Sequence, residues 1–503
     1  MFNEQNWILN RAKLTPEKSA LIDIQTKRNW TYEELANKTL NAYQYLHALG
    51  IQKGDRVAVL SENSIDLFPL LFACGIGGYI YVPINWRLST GEQQSILYDS
   101  TPTVLLTDTK YKDLGEVIYP AKTKNIYEII NFQPKEYVPI ENSTWSSSDA
   151  WLMIYTGGTT GKPKGVVLSF DAVNWNAINT IVSWSLEDND CTLNYMPLFH
   201  TGGLNALTIP ILMVGGTVVV GNKFDPEEAI RAIDDYRTTV SLFVPTMYQS
   251  MIETEYFKQS SFPTVKLFLS GGAPCPKTIY HHFFKKGLKF KEGYGLTEAG
   301  PNNFFISPER SAIKPGSVGR SMVFNSIKIL NTKGELCGPN EVGELFVQGK
   351  HMFSYYWNNP EETNKTIIDG WLKTGDLAKM DEEGDVYIVG RSKDMIITGG
   401  ENVYPQEVEQ CIITHPNVKE VAVVGLKDSR WGEVVTAIVI SDQSNEILCD
   451  EIKSLCRDHL GSYKVPKKIF FTNELPKTHV GKIDKKKLVE LYEEKNPPQT
   501  STG

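Results

Sequence analysis

Cysteine is scarce and scattered in this chain of 503 residues. Cys74, Cys191, Cys275, Cys337, Cys411, Cys449 and Cys456 are odd in number and never spaced C-x-x-C, which argues against zinc ribbons and disulfide frameworks and for free thiols. Positive charge is the minority: 51 Lys and Arg against 59 Asp and Glu leave a net charge of -8, so a general nucleic-acid surface is excluded and any basic site must be local. Long apolar runs are missing as well. The most apolar stretch, residues 204–220, is broken by Pro210, Gly215 and Gly216 and reads as a core helix followed by a strand. Residues 1–18 carry charge throughout and lack the apolar core of a signal peptide, so a cytoplasmic location is expected. With 41% hydrophobic and 22% charged residues, the composition suits several packed globular domains.

What is present is organised around residues 151–169, WLMIYTGGTTGKPKGVVLS. Two apolar runs, residues 151–155 and 165–168, read as strands of a hairpin, and the loop between them is glycine, threonine and lysine. Gly157, Gly158 and Gly161 let several N–H groups share one concavity, Thr156, Thr159 and Thr160 add hydroxyls, and Lys162 and Lys164 add charge. Such a loop suits a polyphosphate; a ligand-free Gly-Thr hairpin is the plainer alternative. It is not a Walker P-loop, because Pro163 follows Lys162 and a strand follows in place of a helix.

Around it, strand and helix patterns alternate. Thr31 and Glu34 form a capping box before a helix running to Gly50, and strands are expected near residues 56–60, 79–83 and 103–107 with helices between. Alternation resumes after the hairpin, so two doubly wound α/β lobes are expected, the second on its own parallel sheet. Residues 316–390 change to short runs with many glycines, a small β subdomain, and residues beyond Arg391 read as a compact α+β unit. The boundary is placed between 1–391 and 392–503, and no repeat is visible.

Further motifs are individually weak. Ser270-Gly271-Gly272-Ala273-Pro274 could let a planar ring lie against backbone. Tyr294-Gly295-Leu296-Thr297-Glu298 offers an aromatic wall, a phosphate donor and a carboxylate for Mg²⁺, or equally an ordinary turn. Thr374-Gly375-Asp376 could bind a ribose and by itself reads as an Asx-turn. Gly390-Arg391-Ser392-Lys393-Asp394 sits where the texture changes, and Lys482 is one more exposed lysine near the end.

Together, YTGGTTGKPKG, YGLTE, TGD, GRSKDMIITGGENVYPQEVE and PKTHVGKI match one family in order and spacing over essentially the whole chain. The chain resembles the acyl-adenylate-forming superfamily of acyl- and aryl-CoA synthetases, luciferases and peptide-synthetase adenylation domains. The resemblance implies a large N-terminal domain, a small mobile C-terminal lid, and ATP, Mg²⁺ and coenzyme A. The reaction it implies is attack of a carboxylate on the α-phosphorus of ATP, giving acyl-AMP and pyrophosphate, then thiol displacement of AMP. It assigns the β- and γ-phosphates to Thr156, Gly157, Gly158, Thr159, Thr160 and Lys164, with Thr160 also near the metal. Thr297 falls to the α-phosphate and Glu298 to Mg²⁺; Gly271, Gly272, Ala273 and Tyr294 frame adenine, and Asp376 and Arg391 hold ribose. Lys482 bridges carboxylate and α-phosphate in the first step. Lys393 is the hinge, and Gly399, Gly400 and Glu401 replace Lys482 beside the CoA arm; Lys464, Lys467 and Lys468 are the local basic patch for its phosphates, although a solvated surface fits any one of them better.

The acyl pocket expected from the same likeness comprises Phe199, His200, Gly202, Gly203, Leu204, Val244, Met247, Gly300 and Pro301, although His200 fits a packed histidine as well. Glycines 202, 203 and 300 are read as leaving depth for an elongated apolar acid, and the lack of Arg or Lys argues against a dicarboxylate. A medium- or long-chain fatty acid is the expected substrate; the alternatives are an aryl acid, 4-coumarate-like or succinylbenzoate-like, and transfer to a carrier protein. Gly157 stands where serine is commoner in the family and Lys486 where arginine is, neither removing a needed charge. Small molecules are the expected partners, with no nucleic acid; a homodimer and peripheral membrane contact stay open.

Overall fold

The structure is a computed structural model that describes residues 5–120, 122–140, 145–157, 163–478 and 482–495. Its first sheet is seven-stranded, in the order Tyr355–Tyr356, Lys164–Ser169, Ala150–Thr156, Ile80–Ile84, Arg56–Leu60, Val104–Thr107, Thr123–Asn125. The pairings are parallel apart from the hairpin and the short strand added beside it. The hairpin therefore closes the first lobe. Trp151 fixes it there, fully buried, stacked on Phe170 at 5.1 Å and donating its indole N–H to Leu71 O over 3.0 Å. An amphipathic side chain whose polar atom is satisfied internally can be buried whole without an orphaned donor.

The second sheet runs Phe290–Glu292, Leu267–Ser270, Val240–Phe243, Cys191–Asn194, Thr217–Val220, Ser19–Asp23, Asn29–Thr31. Its last two strands come from the N-terminus, so the second lobe is not built from its own stretch of chain alone. Ser19–Asp23 lies parallel to Thr217–Val220, with Leu21 opposite Val218. Each sheet thus takes a piece from outside its own stretch, which ties the lobes together. Between the two N-terminal strands and the first lobe stands the helix Tyr32–Ala48, started by Thr31 and Glu34 as a reciprocal capping box.

A five-stranded antiparallel sheet follows, including Gly343–Gly349, Trp371–Met380 and Val386–Arg391. The C-terminal unit has another five-stranded sheet centred on Gly432–Ile440, with its own cores: the helices Pro405–Ile412 and Glu446–His459 contribute Val408, Ile412, Leu448 and Ile452 to one, and Lys485–Lys495 contributes Leu488 and Tyr492 to the other. The architecture is a large α/β N-terminal domain with mixed sheets and a smaller C-terminal domain. All seven cysteines are free. Among the described residues no helix is long and apolar enough to cross a membrane.

Candidate active site

Thr156 and Lys164 face each other at the open end of the hairpin. Gly158, Thr159 and Thr160, with Gly161 and Lys162, lie outside the described residues, as do His479, Val480 and Gly481 of the last motif. Lys164 is paired with Glu362, and its ammonium lies 5.4 Å from the Tyr356 ring centre. Gly157 is exposed at the loop edge.

Across the cleft, Ser270 ends a parallel strand and hands the chain to Gly271, Gly272 and Ala273. Glu292 on the neighbouring strand pins this loop by accepting from the Cys275 N–H (3.1 Å) and the Tyr280 hydroxyl (2.9 Å); burial pushes its carboxyl up to about 8. The Tyr294 hydroxyl donates to Asp376 Oδ2 over 2.5 Å, and Arg391 Nε lies 2.8 Å from Asp376 Oδ1. Asp376 and Arg391 are opposite each other in register, so the strand pairing itself sets their ion pair. Thr297 is buried beside Glu298. Glu298 Oε1 accepts from the Tyr356 hydroxyl over 2.8 Å, and its carbonyl accepts from Phe353 N–H over 2.7 Å. The other carboxylate oxygen accepts no hydrogen bond among the described residues.

Lys482 reaches this cluster from the C-terminal unit. Its side chain stays open to solvent along the cleft, yet desolvation lowers its pKa, with repulsion from Arg391 adding and attraction to Asp376 and Glu298 opposing. His200 lies within the same electrostatic neighbourhood: burial, then the charge of Lys482, lowers its pKa to about 4. Its Nδ1 accepts from the Gly202 N–H over 3.0 Å, so the neutral ring carries its proton on Nε2.

The glycines expected to give depth do something else. A Cβ on Gly203 would stand 2.1 Å from Pro197 O and one on Gly300 2.9 Å from Asn176 Oδ1, while Gly202 lies against the His200 ring. Gly203 and Gly300 permit close packing of backbone and amide. Phe199 and Leu204 are buried, Val244, Met247 and Pro301 half-buried, and Gly272 faces Val244 at 3.5 Å from its missing Cβ.

On the C-terminal unit, Lys393 is exposed in the turn Ser392–Asp394, and Gly399, Gly400 and Glu401 are exposed. Gly399 N–H donates to Trp431 O over 2.9 Å, and Lys467 Nζ lies 3.3 Å from the Trp431 ring centre. Lys464 is held by both Glu407 oxygens, at 2.7 and 2.8 Å, and is not a spare cation. Lys468 lies half-buried in a strand. Residues not singled out from sequence are Tyr356, Glu362, Asn176, Asn205 and Trp431. The aromatic run Tyr355-Tyr356-Trp357 was a visible signal for the first; the rest belong to stretches with no motif character.

A single Mg²⁺ fits these residues. It is commonly bound by one or two carboxylates plus substrate phosphates, and Glu298 has an uncommitted oxygen while no cluster of three or more metal-ligating side chains exists among the described residues.

Comparison with known proteins agrees with this arrangement. The family model "AMP-binding enzyme" matches residues 8–357, and "AMP-binding enzyme C-terminal domain" matches residues 407–482. A feruloyl-CoA synthase of Amycolatopsis sp. is 35% identical over 95% of this chain and 96% of its own length. An indoleacetate–CoA ligase of Aromatoleum aromaticum is 34% identical, covering 97% and 98%. The o-succinylbenzoate CoA synthetase of Bacillus subtilis, solved with its acyl-adenylate intermediate, superposes with a TM-score of 0.87 at 33% identity, over 96% of this chain and 97% of that one; it has also been solved with ATP and magnesium. With both models matched and CoA ligases similar end to end, the chain belongs to the AMP-binding enzyme family, as an AMP-forming acid–CoA ligase.

Proposed function

We propose that the acid is aromatic: the chain activates an aryl or arylalkanoic carboxylate with ATP and passes the acyl group to coenzyme A. The observation that carries the reaction is Lys482, which stands among Asp376, Arg391, Glu298 and His200 although it is distant from all of them in sequence. In the first step the carboxylate oxygen attacks the α-phosphorus and pyrophosphate leaves. Lys482 offsets charge as carboxylate and phosphate crowd together, Thr297 donates to the α-phosphate, and Thr156, Gly157, Lys164 and the loop between them hold the rest. Asp376 and Arg391 hold the ribose, and Tyr294 with Gly271, Gly272 and Ala273 frames adenine. Glu298 would hold Mg²⁺, which when bound would neutralise phosphate charge. Neutral His200 presents Nε2–H to the acid.

In the second step the thiol attacks the acyl carbon and AMP leaves. The C-terminal unit turns about Lys393, withdrawing Lys482 and bringing Gly399, Gly400 and Glu401 to the cleft. Free CoA is favoured over a carrier protein because the relatives similar over nearly the whole chain are CoA ligases and a CoA synthase.

Kinship supports an aromatic acid over the fatty acid expected from sequence: the feruloyl, indoleacetate and succinylbenzoate enzymes are relatives over nearly the whole chain. The test is carboxylate-dependent pyrophosphate release over a panel of cinnamic, arylacetic and straight-chain acids, with and without CoA. Turnover of the straight-chain acids alone would overturn the aromatic reading.

A further inference from the structure

The lysine assigned to the triphosphate already has a partner. Lys164 opens the strand Lys164–Ser169, and its ammonium is paired with Glu362, 198 residues further on. The two side chains are only 16% and 33% exposed, so the pair is drier than an ordinary surface ion pair.

The carboxylate is held in place by a segment stitched to the same strand. Tyr355 and Tyr356 pair antiparallel with Val167 and Val166, and Trp357 N–H donates to Gly165 O over 2.7 Å. The chain then turns into the helix Pro360–Thr366, where Asn359 Oδ1 accepts from the Glu362 N–H over 3.1 Å. Thr363 Oγ1 accepts from Tyr356 N–H and donates to Asn359 O, each over 2.9 Å, which ties the helix start back to the strand. Glu362 is thus fixed beside Lys164 by backbone and cap. Tyr356 links the pair to the metal-side carboxylate: its ring centre lies 5.4 Å from the Lys164 ammonium, and its hydroxyl donates to Glu298 over 2.8 Å.

A lysine ammonium carries a single charge, which carboxylate and phosphate must share. A polyphosphate arriving at Lys164 meets a negative charge next to the cation that attracts it, where water screens both weakly. Attraction and repulsion compete at one atom.

Resting on Lys164 as a ligand of the β- and γ-phosphates, we propose that Glu362 is a positioning residue, the exchangeable counter-ion of Lys164. It holds the ammonium while no phosphate is bound, yields it to ATP, and takes it back as pyrophosphate leaves. The pair therefore weakens binding of ATP and of pyrophosphate together and favours release of the first product.

The experiment follows thioester formation from ATP, acid and CoA, with added pyrophosphate as inhibitor. Glu362→Gln, which keeps the size and removes the charge, should lower both KM for ATP and the inhibition constant of pyrophosphate by about 3–10-fold. Glu362→Ala should shift both constants the same way, whereas loss of a residue that merely supports the fold would raise them. Lys164→Gln should raise KM for ATP, and in that background Glu362→Gln should have no effect on either constant. If Lys164→Gln leaves KM for ATP unchanged, the phosphate role of Lys164 falls and this inference with it. If Lys164→Gln raises KM but Glu362→Gln does not lower it, the counter-ion role is refuted while the role of Lys164 stands. An effect of Glu362→Gln that persists in the Lys164→Gln background refutes the pair as its source, and a lowered KM for ATP with unchanged pyrophosphate inhibition refutes the return of Lys164 to Glu362.

Discussion

Lys482 and His200, from different domains, are electrostatic neighbours: beyond the effect of burial, the lysine charge lowers the proton affinity of the imidazole. That relationship requires the C-terminal unit to be turned with its last motif toward the nucleotide strands.

Lys482→Ala should lower carboxylate-dependent pyrophosphate release by about 10²–10³-fold, the scale of losing one preorganised charge stabiliser. Thioester formation from supplied acyl-AMP should be spared, and substitution at Gly400, exposed with φ +87, should show the opposite split. Equal loss in both half-reactions refutes the assignment.

Tyr356→Phe removes the hydroxyl that orients Glu298. The expected result is about a tenfold rise in the Mg²⁺ concentration for half-maximal rate, since partners of metal-binding carboxylates typically matter at this level. KM for the acid should stay put; a change there with no Mg²⁺ effect counts against the role.

His200 should stay neutral down to about pH 4. Its unfolded pKa lies near 6.5, so between those values the unfolded state binds a proton the folded state refuses, and its contribution to stability is lost as pH falls through that window. The kcat/KM profile should show no inflection near pH 6.5 that vanishes in His200→Ala, and that variant should lose about 10–100-fold in kcat/KM.

Lys291 is buried against Trp184 and Phe305, ring centres 4.4 and 4.7 Å from its Nζ, and burial lowers its pKa to about 7. The unfolded chain holds that proton up to about 10.5. Stability should therefore rise with pH from 7 to 10.5, as this lysine's proton is lost first from the folded state. Lys291→Met should raise Tm at pH 7 by about 2–4 °C, with the gap closing toward pH 10. A Tm that falls at pH 7 means the aromatic contacts outweigh the desolvation.

Gly300→Ala should destabilise by about 1–3 kcal/mol, because φ +69 is strained for an L residue. The new methyl also meets Asn176 Oδ1, so KM for the acid should rise; denaturant unfolding and initial-rate kinetics check the two effects separately.

The fold class and the reaction class were legible because they are carried by short contiguous runs. The two hairpin strands, the Thr31–Glu34 cap and the register of Asp376 with Arg391 are local patterns whose backbone needs can be read from neighbours in sequence. Tyr356 could not be placed at Glu298 from sequence, because that contact depends on a two-residue strand, Tyr355–Tyr356, joining the edge of the first sheet. Trp431 could not be placed at Gly399 for the same kind of reason: a turn between two strands folds back on the loop.

The amino-acid sequence by itself determined the reaction class, since phosphate and carboxylate chemistry demands particular side chains in fixed local order. Only the tertiary structure decided what the glycines of the expected acid pocket pack against. A glycine in a sequence reads as room for a substrate, but what occupies that room is set by residues far along the chain. Here Pro197 O stands where a side chain on Gly203 would go, and Asn176 Oδ1 where one on Gly300 would.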